Sequence, residues 1–161
     1  MTTSPHANQR ANDVLSLLED VLPLMGVDAR VVVSTEADGS LLADISSSDL
    51  SALIGGRGRT LNALQCIANV AANSGNDGDW VRVVIDAEGY RERRRESLER
   101  CALKAAAQAV EENRELELEP MNAFERRIVH CALADLPDIA SDSRGEEPYR
   151  YVVIAPTASK E

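Results

Sequence analysis

Aromatic residues are nearly absent from this chain of 161 residues: one Phe, one Trp and three Tyr make up 3% of it, whereas 44% of the residues are hydrophobic. Any hydrophobic core must therefore consist of aliphatic side chains, and the length suffices for one ordinary domain or two small ones. Long apolar runs are also missing, since no stretch approaches the ~18 residues of a membrane helix, and no secretory leader is recognisable. We therefore predict no membrane insertion.

Cysteine is scarce and widely spaced. The three cysteines are Cys66, Cys101 and Cys131, and no Cys-x-x-Cys pair occurs. An odd number of isolated cysteines in Ala-rich apolar segments favours buried, reduced thiols over disulfides or zinc ligands. Cysteine usage thus predicts a cytoplasmic protein without a metal site.

Histidine is scarcer still, which argues against catalysis. Only two histidines occur, and His6 lies in a polar N-terminal segment. No Ser-His-Asp or Cys-His arrangement can be assembled from so few. The glycine-rich segment at residues 55–60 lacks the lysine and the spacing of a nucleotide-binding P-loop. We predict a protein that is not an enzyme and needs no cofactor.

Positive charge is in short supply as well. The net charge is −10, from 17 Lys and Arg against 27 Asp and Glu, which on its own argues against a nucleic-acid-binding protein. The arginines are clustered, however, and the clusters are Arg57 and Arg59; Arg91, Arg93, Arg94 and Arg95; Arg126 and Arg127; Arg144 and Arg150. Each cluster is either a solvated surface or a local phosphate site, and the acidic background predicts modest affinity.

The most informative motif is the segment Gly55-Gly56-Arg57-Gly58-Arg59, which follows the apolar pair Leu53-Ile54. Three glycines in four positions let the backbone turn sharply and leave no side chain in the way of a ligand. The N–H groups that begin the next helix would point outward to a phosphate, and Arg57 and Arg59 add positive charge. The segment predicts a phosphate clamp, with a simple corner between two helices as the alternative.

The elements predicted around this loop follow the order helix, strand, strand, short helix, loop, helix, strand. Periodicity places them at 12–24, 29–34, 41–45, 49–54, 61–71 and 80–87, and the stripe of the 61–71 helix is Leu61, Leu64, Ile67, Ala68 and Ala71. This order resembles the type II KH domain (α-β-β-α-α-β) over residues 11–88, after a disordered tail at 1–10. The resemblance implies a grip on about four nucleotides of single-stranded nucleic acid.

A second half begins near residue 89. A long helix is predicted over 90–113, with Leu98, Cys101, Ala102, Ala105 and Ala109 on its apolar side. Its first turns carry the four arginines Arg91, Arg93, Arg94 and Arg95, unfavourably placed against the helix dipole. A phosphate-facing role and a solvated surface are both open for them.

The next helix carries the second candidate site. Asn122 can cap a helix that runs to about 136, and at about 100° per residue Arg126, Arg127 and His130 share one polar face. The opposite side, expected to pack down, holds Phe124, Ile128, Cys131 and Ala132. The polar face predicts a phosphate grip, or else a surface histidine beside two solvated arginines.

The spacing Arg126-x-x-x-His130 resembles the signature of the R-3-H domain. Strands predicted at 115–119, 139–143 and 151–154 fit a small three-stranded sheet packed by helices, and Arg150 matches the basic residue near that family's final strand. The resemblance covers 89–156, followed by a tail at 157–161. It implies an α+β protein whose second half binds single-stranded nucleic acid through Arg126, Arg127, His130 and Arg150.

A KH domain followed directly by an R-3-H domain resembles the bacterial Jag family, also called SpoIIIJ-associated or KhpB-like proteins. The resemblance implies a cytoplasmic regulator that binds single-stranded RNA, or single-stranded DNA, and is linked to cell elongation and envelope growth. A small single-KH-domain protein or a second copy of the chain is the implied protein partner. Many members carry a further N-terminal domain, which the ten residues before the first helix here do not supply. The alternative is a KH-mediated interaction or dimerisation module in which nucleic-acid binding is incidental.

Overall fold

The computed structural model describes residues 5–75 and 80–157. The chain divides into two compact units, of which the first ends at Arg91 and the second begins at Glu92. Each unit combines helices with one three-stranded sheet, so the predicted α+β class is confirmed. Within the described ranges, no helix combines the length and apolar character that crossing a bilayer requires.

The first unit has the predicted α-β-β-α-α-β order. Its elements are α1 (Pro5–Leu24), β1 (Ala29–Thr35), β2 (Leu41–Ser47), α2 (Ser51–Ile54), a 3-10 turn (Gly56–Gly58), α3 (Arg59–Asn73) and β3 (Val83–Ala87). The sheet order is β1-β2-β3, with β1 antiparallel and β3 parallel to the central strand. The loop between α2 and α3 lies at the N-terminal end of α3.

The prediction of a disordered tail at 1–10 is wrong for residues 5–10, which form the start of α1, while residues 1–4 lie outside the described ranges. Proline is tolerated at a helix start because its missing N–H would have no partner there. Arg10 is buried, and it lies one helical turn before the buried Val14 and two turns before the buried Leu18. A long arginine stem can cover apolar surface in this way, which a count of apolar residues overlooks.

An aliphatic core fills the space between α1, α3 and one face of the first sheet. It is built from α1, β2, α3 and β3 residues, among them Leu18, Leu22, Ile45, Leu61 and Ile85. The predicted stripe of α3 is wrong at one position, since Ile67 is 51% exposed and Ala72 is buried instead.

Three amide side chains of α3 bind the outer edge of β3 and the residues that lead into it. Asn69 accepts from the N–H of Val83 (2.9 Å) and donates to its carbonyl (3.0 Å). Asn73 bonds Val81 in the same two ways, both at 2.8 Å. Gln65 accepts from the N–H of Ile85 at 3.1 Å. The spacing of four residues on the helix thus matches the spacing of two on the strand, which fixes the register of α3.

The second unit holds α4 (Tyr90–Glu112, whose first two residues belong to the first unit), β4 (Leu116–Glu117), α5 (Ala123–Leu133), β5 (Ile139–Arg144) and β6 (Tyr151–Pro156). Its sheet has the antiparallel order β4-β6-β5. The core joins α4, α5 and β6 through Leu98, Ala102, Ala106, Ala109, Val129, Leu133, Val152 and Ile154. Asn122 caps α5, as predicted, in a reciprocal capping box with Glu125.

The prediction of buried cysteines is wrong. Cys66, Cys101 and Cys131 are free thiols on exposed faces of α3, α4 and α5. Each cysteine lies in an Ala-rich helix but outside the buried stripe of that helix. The apolar composition of the segment therefore predicted the helix correctly but not the side of the helix on which the cysteine lies.

Candidate nucleic-acid interface

Two glycines of the Gly-x-x-Gly loop are required by the fold itself. Gly55 and Gly58 both have left-handed backbone angles, with φ of 66° and 77°. A Cβ on Gly55 would lie 2.2 Å from Thr60 Oγ1, and one on Gly58 would lie 2.9 Å from the Tyr90 ring. Any side chain at either position would clash, so these two residues set the sharp turn between α2 and α3.

Gly56 and Arg57 form the exposed tip of the loop. A Cβ on Gly56 would meet only the flexible guanidinium of Arg59, at 3.3 Å, so the fold tolerates a side chain there. Arg57 adopts a left-handed conformation (φ 58°, ψ 35°), which costs a non-glycine residue about 1–2 kcal/mol. The tip thus combines an exposed arginine in a strained conformation with a glycine that packing does not require.

Helix α3 begins directly behind this tip. Its N-cap is Gly58, which has no side chain with which to cap the leading N–H groups, and its first residue is the exposed Arg59. The positive end of a 15-residue helix dipole therefore faces the same side as the loop. Backbone donors, dipole and arginine side chains together can bind a phosphate diester.

The arginines at the start of α4 are largely committed to protein contacts. Arg91 donates to the carbonyl of Ile85 (2.7 Å) and to Gln65 (2.8 Å), and burial lowers the pKa of its guanidinium. Arg94 pairs with the buried Glu125 at 2.7 Å. The phosphate-facing role left open for this cluster is therefore wrong for these two residues, which explains their unfavourable placement near a helix N-terminus.

Arg126 lies on the buried side of α5, with Glu125, Val129 and Leu133. Its guanidinium donates to the carbonyl of Met121 (2.8 Å) and pairs with Glu147 (2.8 Å). The Arg126 side chain is only 10% exposed, whereas that of Glu147 is 57% exposed. The Arg126 guanidinium is thus bonded to the backbone through one nitrogen and paired through the other with a carboxylate that is largely exposed.

The predicted division of α5 into a polar and a packed face is wrong in part. Ile128 and Ala132 pack against the core as predicted, but Phe124 is 65% exposed, Cys131 is exposed and Arg126 is buried. Arg127 is exposed, as expected for the polar face. Helical spacing gave the relative angles of the α5 side chains correctly, but it is the Arg126 stem that packs inward and not the Phe124 ring. The buried Arg126 side chain and the exposed Arg127 side chain therefore do not form one exposed face.

His130 is held by two serines of β5 that sequence reasoning missed. Its Nδ1 lies 2.7 Å from Ser141 Oγ and its Nε2 lies 2.8 Å from Ser143 Oγ. The Arg150 guanidinium is 3.4 Å from the carbonyl of Ser143, and the Arg150 carbonyl accepts the N–H of Met121 at 3.0 Å. Hydrogen bonds to Met121 and Ser143 thus connect the three residues Arg126, His130 and Arg150. The alternation Ser-x-Ser in a strand was the available signal, because it places both hydroxyls on one face.

Comparison with known families matches each half of the chain. The family model "KhpA/KhpB, KH domain" matches residues 14–85, and the model of the R-3-H domain matches residues 96–156. The chain is similar to proteins named RNA-binding protein KhpB from three bacteria. Identity is 37% over 88% of this chain for the Clostridium symbiosum protein, 36% over 77% for Bacillus subtilis and 41% over 64% for Lactiplantibacillus plantarum. The aligned regions span 64%, 60% and 32% of those proteins, so the chain covers less than two thirds of their length.

Proposed function

The chain belongs to the KhpB-like proteins, in which a KH domain is followed by an R-3-H domain, and from this premise we propose that it binds single-stranded RNA and acts as a post-transcriptional regulator. The similar proteins are named as RNA-binding proteins and not as enzymes, which agrees with the absence of catalysis expected from the sequence. The observation that carries the proposal is the exposed tip of Gly56 and Arg57 in front of α3.

In the proposed mechanism the strand backbone lies across Gly55, Gly56, Arg57 and Gly58. The bare Gly56 lets a phosphate approach the loop, while Arg59 and the leading N–H groups of α3 attract it. Neither Ile54 nor α3 offers an aromatic ring, and the Tyr90 ring beside Gly58 is partly buried against the core of the first unit. Stacking therefore contributes little in this mechanism, and bases are read through their edges.

The second contact is proposed at Arg126, Arg127, His130 and Arg150. A strand that reaches both units gains from the effective concentration that the covalent connection provides, even if each contact alone is weak. Arg126 contributes after its exposed partner Glu147 moves aside, whereas Arg127 is exposed from the outset. Control of cell elongation and envelope growth is the cellular role proposed from the family resemblance.

Ligand class is tested by fluorescence anisotropy with labelled 20-nucleotide RNA, its duplex and the DNA of the same sequence. Binding of single-stranded RNA that weakens linearly with the logarithm of salt concentration is expected, because phosphate contacts release counterions. Equal or tighter binding of the duplex would contradict the proposal. Binding of DNA equal to that of RNA would retain single-strand binding and remove the preference for RNA.

A protein-interaction role is the second candidate, and the exposed side of α3 favours it. Ile67 and Val70, three residues apart on the helix, are 51% and 65% exposed. Such a face suits a second copy of the chain or a small single-KH-domain protein. Sedimentation equilibrium of the native chain and of Ile67→Glu distinguishes the readings, since a dimer that the substitution dissociates supports the interaction role.

A further inference from the structure

We propose that the hydroxyls of Ser141 and Ser143 contact RNA phosphates, and that His130 is the positioning residue that orients them. The inference rests on the proposed single-stranded RNA binding and assigns a different set of contact atoms within the second unit. It begins from the observation that both ring nitrogens of His130 already have partners, at 2.7 and 2.8 Å.

The geometry leaves the imidazole without a spare polar atom. A neutral imidazole donates from one nitrogen and accepts at the other, and both positions are taken by serine hydroxyls. A phosphate oxygen that reached either nitrogen would first have to displace a serine. The histidine therefore meets the ligand through the two hydroxyls rather than directly.

The hydroxyls keep hydrogen-bonding capacity beyond these contacts. Each hydroxyl has one donor and two acceptor positions. The serine that accepts the imidazole N–H retains its own hydrogen, which is free to donate to an anion. The serine that donates to the other nitrogen fixes the tautomer, so the pair acts as one unit that always offers a donor.

The surroundings of the serine pair suit an anion. Both residues are partly exposed and lie two apart on β5, so their side chains share one face, while the exposed Asp142 between them points to the other. Arg150 brings positive charge to within 3.4 Å of the Ser143 carbonyl. Its Nε is buried and has no hydrogen-bond partner among the residues that the structure describes.

Replacing each serine by Thr and by Val isolates the hydroxyl. Threonine and valine have nearly the same shape and both favour strands, so the two variants differ in the hydroxyl alone. We expect the Ser143→Thr and Ser141→Thr chains to bind single-stranded RNA as the native chain does. The Ser143→Val and Ser141→Val chains should bind about 10- to 150-fold more weakly, the range of a lost hydrogen bond to a charged group.

The salt dependence separates a contact from a loss of folding. A hydroxyl releases no counterion, so the Val variants should keep the native slope of log affinity against log salt. Their melting temperatures, measured beside those of the Thr variants, show whether the second unit remains folded. Ser46→Val on β2, in the other unit, is the matched control and should bind as the native chain does.

A measurement without substitutions completes the test. Amide chemical shifts of 141–143 in the native chain should move when a short single-stranded RNA is added. Unmoved shifts, or Val variants that bind as tightly as Thr variants, would overturn this inference while RNA binding through the glycine loop stands. A native chain that binds no single-stranded RNA would overturn the proposed function and this inference with it.

Discussion

Asn69 of α3 bonds both the N–H and the carbonyl of Val83 in β3, at 2.9 and 3.0 Å. A single side-chain amide thus makes the two hydrogen bonds that a neighbouring strand would make at this point on the outer edge of β3. Because the same helix begins at the glycine loop, the bond fixes α3 behind the proposed phosphate clamp. The edge of β3 is covered at the same time, which protects it from pairing with another chain.

Removing this amide should destabilise the first unit. Asn69→Ala leaves two partly buried backbone groups of Val83 without partners, for which we expect a loss of about 1–3 kcal/mol. Urea unfolding followed by far-UV circular dichroism measures it. The exposed Asn12→Ala on α1 is the control and should change stability by less than about 0.5 kcal/mol. Equal effects of the two substitutions would contradict the assigned role.

Arg57→Gly should raise stability and lower RNA affinity. Relief of the left-handed arginine gains about 1–2 kcal/mol, and the added freedom of glycine in the unfolded chain takes back about 0.5–1 kcal/mol. Loss of one phosphate contact should reduce the salt slope by about 0.7. Urea unfolding and anisotropy measure the two effects. Arg57→Lys keeps the charge and should show neither, so a stabilised lysine variant would refute the backbone explanation.

The neighbours Arg126 and Arg127 should respond in opposite ways. Arg126→Ala removes a buried stem, the bond to Met121 and the pair with Glu147, so we expect a loss of about 2–4 kcal/mol. Arg127→Ala should change stability by less than about 0.5 kcal/mol and weaken RNA binding with a smaller salt slope. Urea unfolding and anisotropy on both variants decide it. A destabilised Arg127→Ala chain would contradict these separate roles of the two arginines.

Acid should remove the contribution of the Glu115–Arg144 ion pair to the stability of the fold. Hydrogen bonds from Arg144 hold the pKa of Glu115 below its usual value of 4.5. A lowered carboxyl pKa stabilises the fold above the unfolded pKa, and that stability is lost as the pH falls through the folded value. Both groups are exposed, so the effect is small. The native chain should melt above Arg144→Gln at pH 7, with a gap that closes toward pH 3; a constant gap would contradict this account.

Sequence reasoning succeeded where the determining contacts are local. The Asn122 cap depends on Glu125 three residues away, and the glycine loop on the few residues around it, so both could be predicted. It failed where residues distant in the sequence determine how a side chain packs. Arg126 packs inward because Glu147 meets it from the β5–β6 turn, and no helical periodicity contains that contact.

The serines and amides were missed for the same reason. Ser141 and Ser143 become informative only when β5 lies beside His130, and Asn69 only when α3 lies against β3. The KH and R-3-H resemblances supplied the topology, but the partners of each polar side chain depend on tertiary packing.

The central claim is tested most directly by single-stranded RNA anisotropy, across salt, for the native chain and for Gly56→Asp combined with Arg57→Asp. Both positions are exposed, Asp tolerates the left-handed conformation of residue 57, and the Cβ of an Asp at 56 would meet only the Arg59 guanidinium. Lys104→Glu with Ala107→Glu on the exposed face of α4 changes the net charge by the same −3 and is the control. We predict salt-dependent native binding that the loop variant largely loses and the control keeps. Equal binding by all three chains would contradict the clamp.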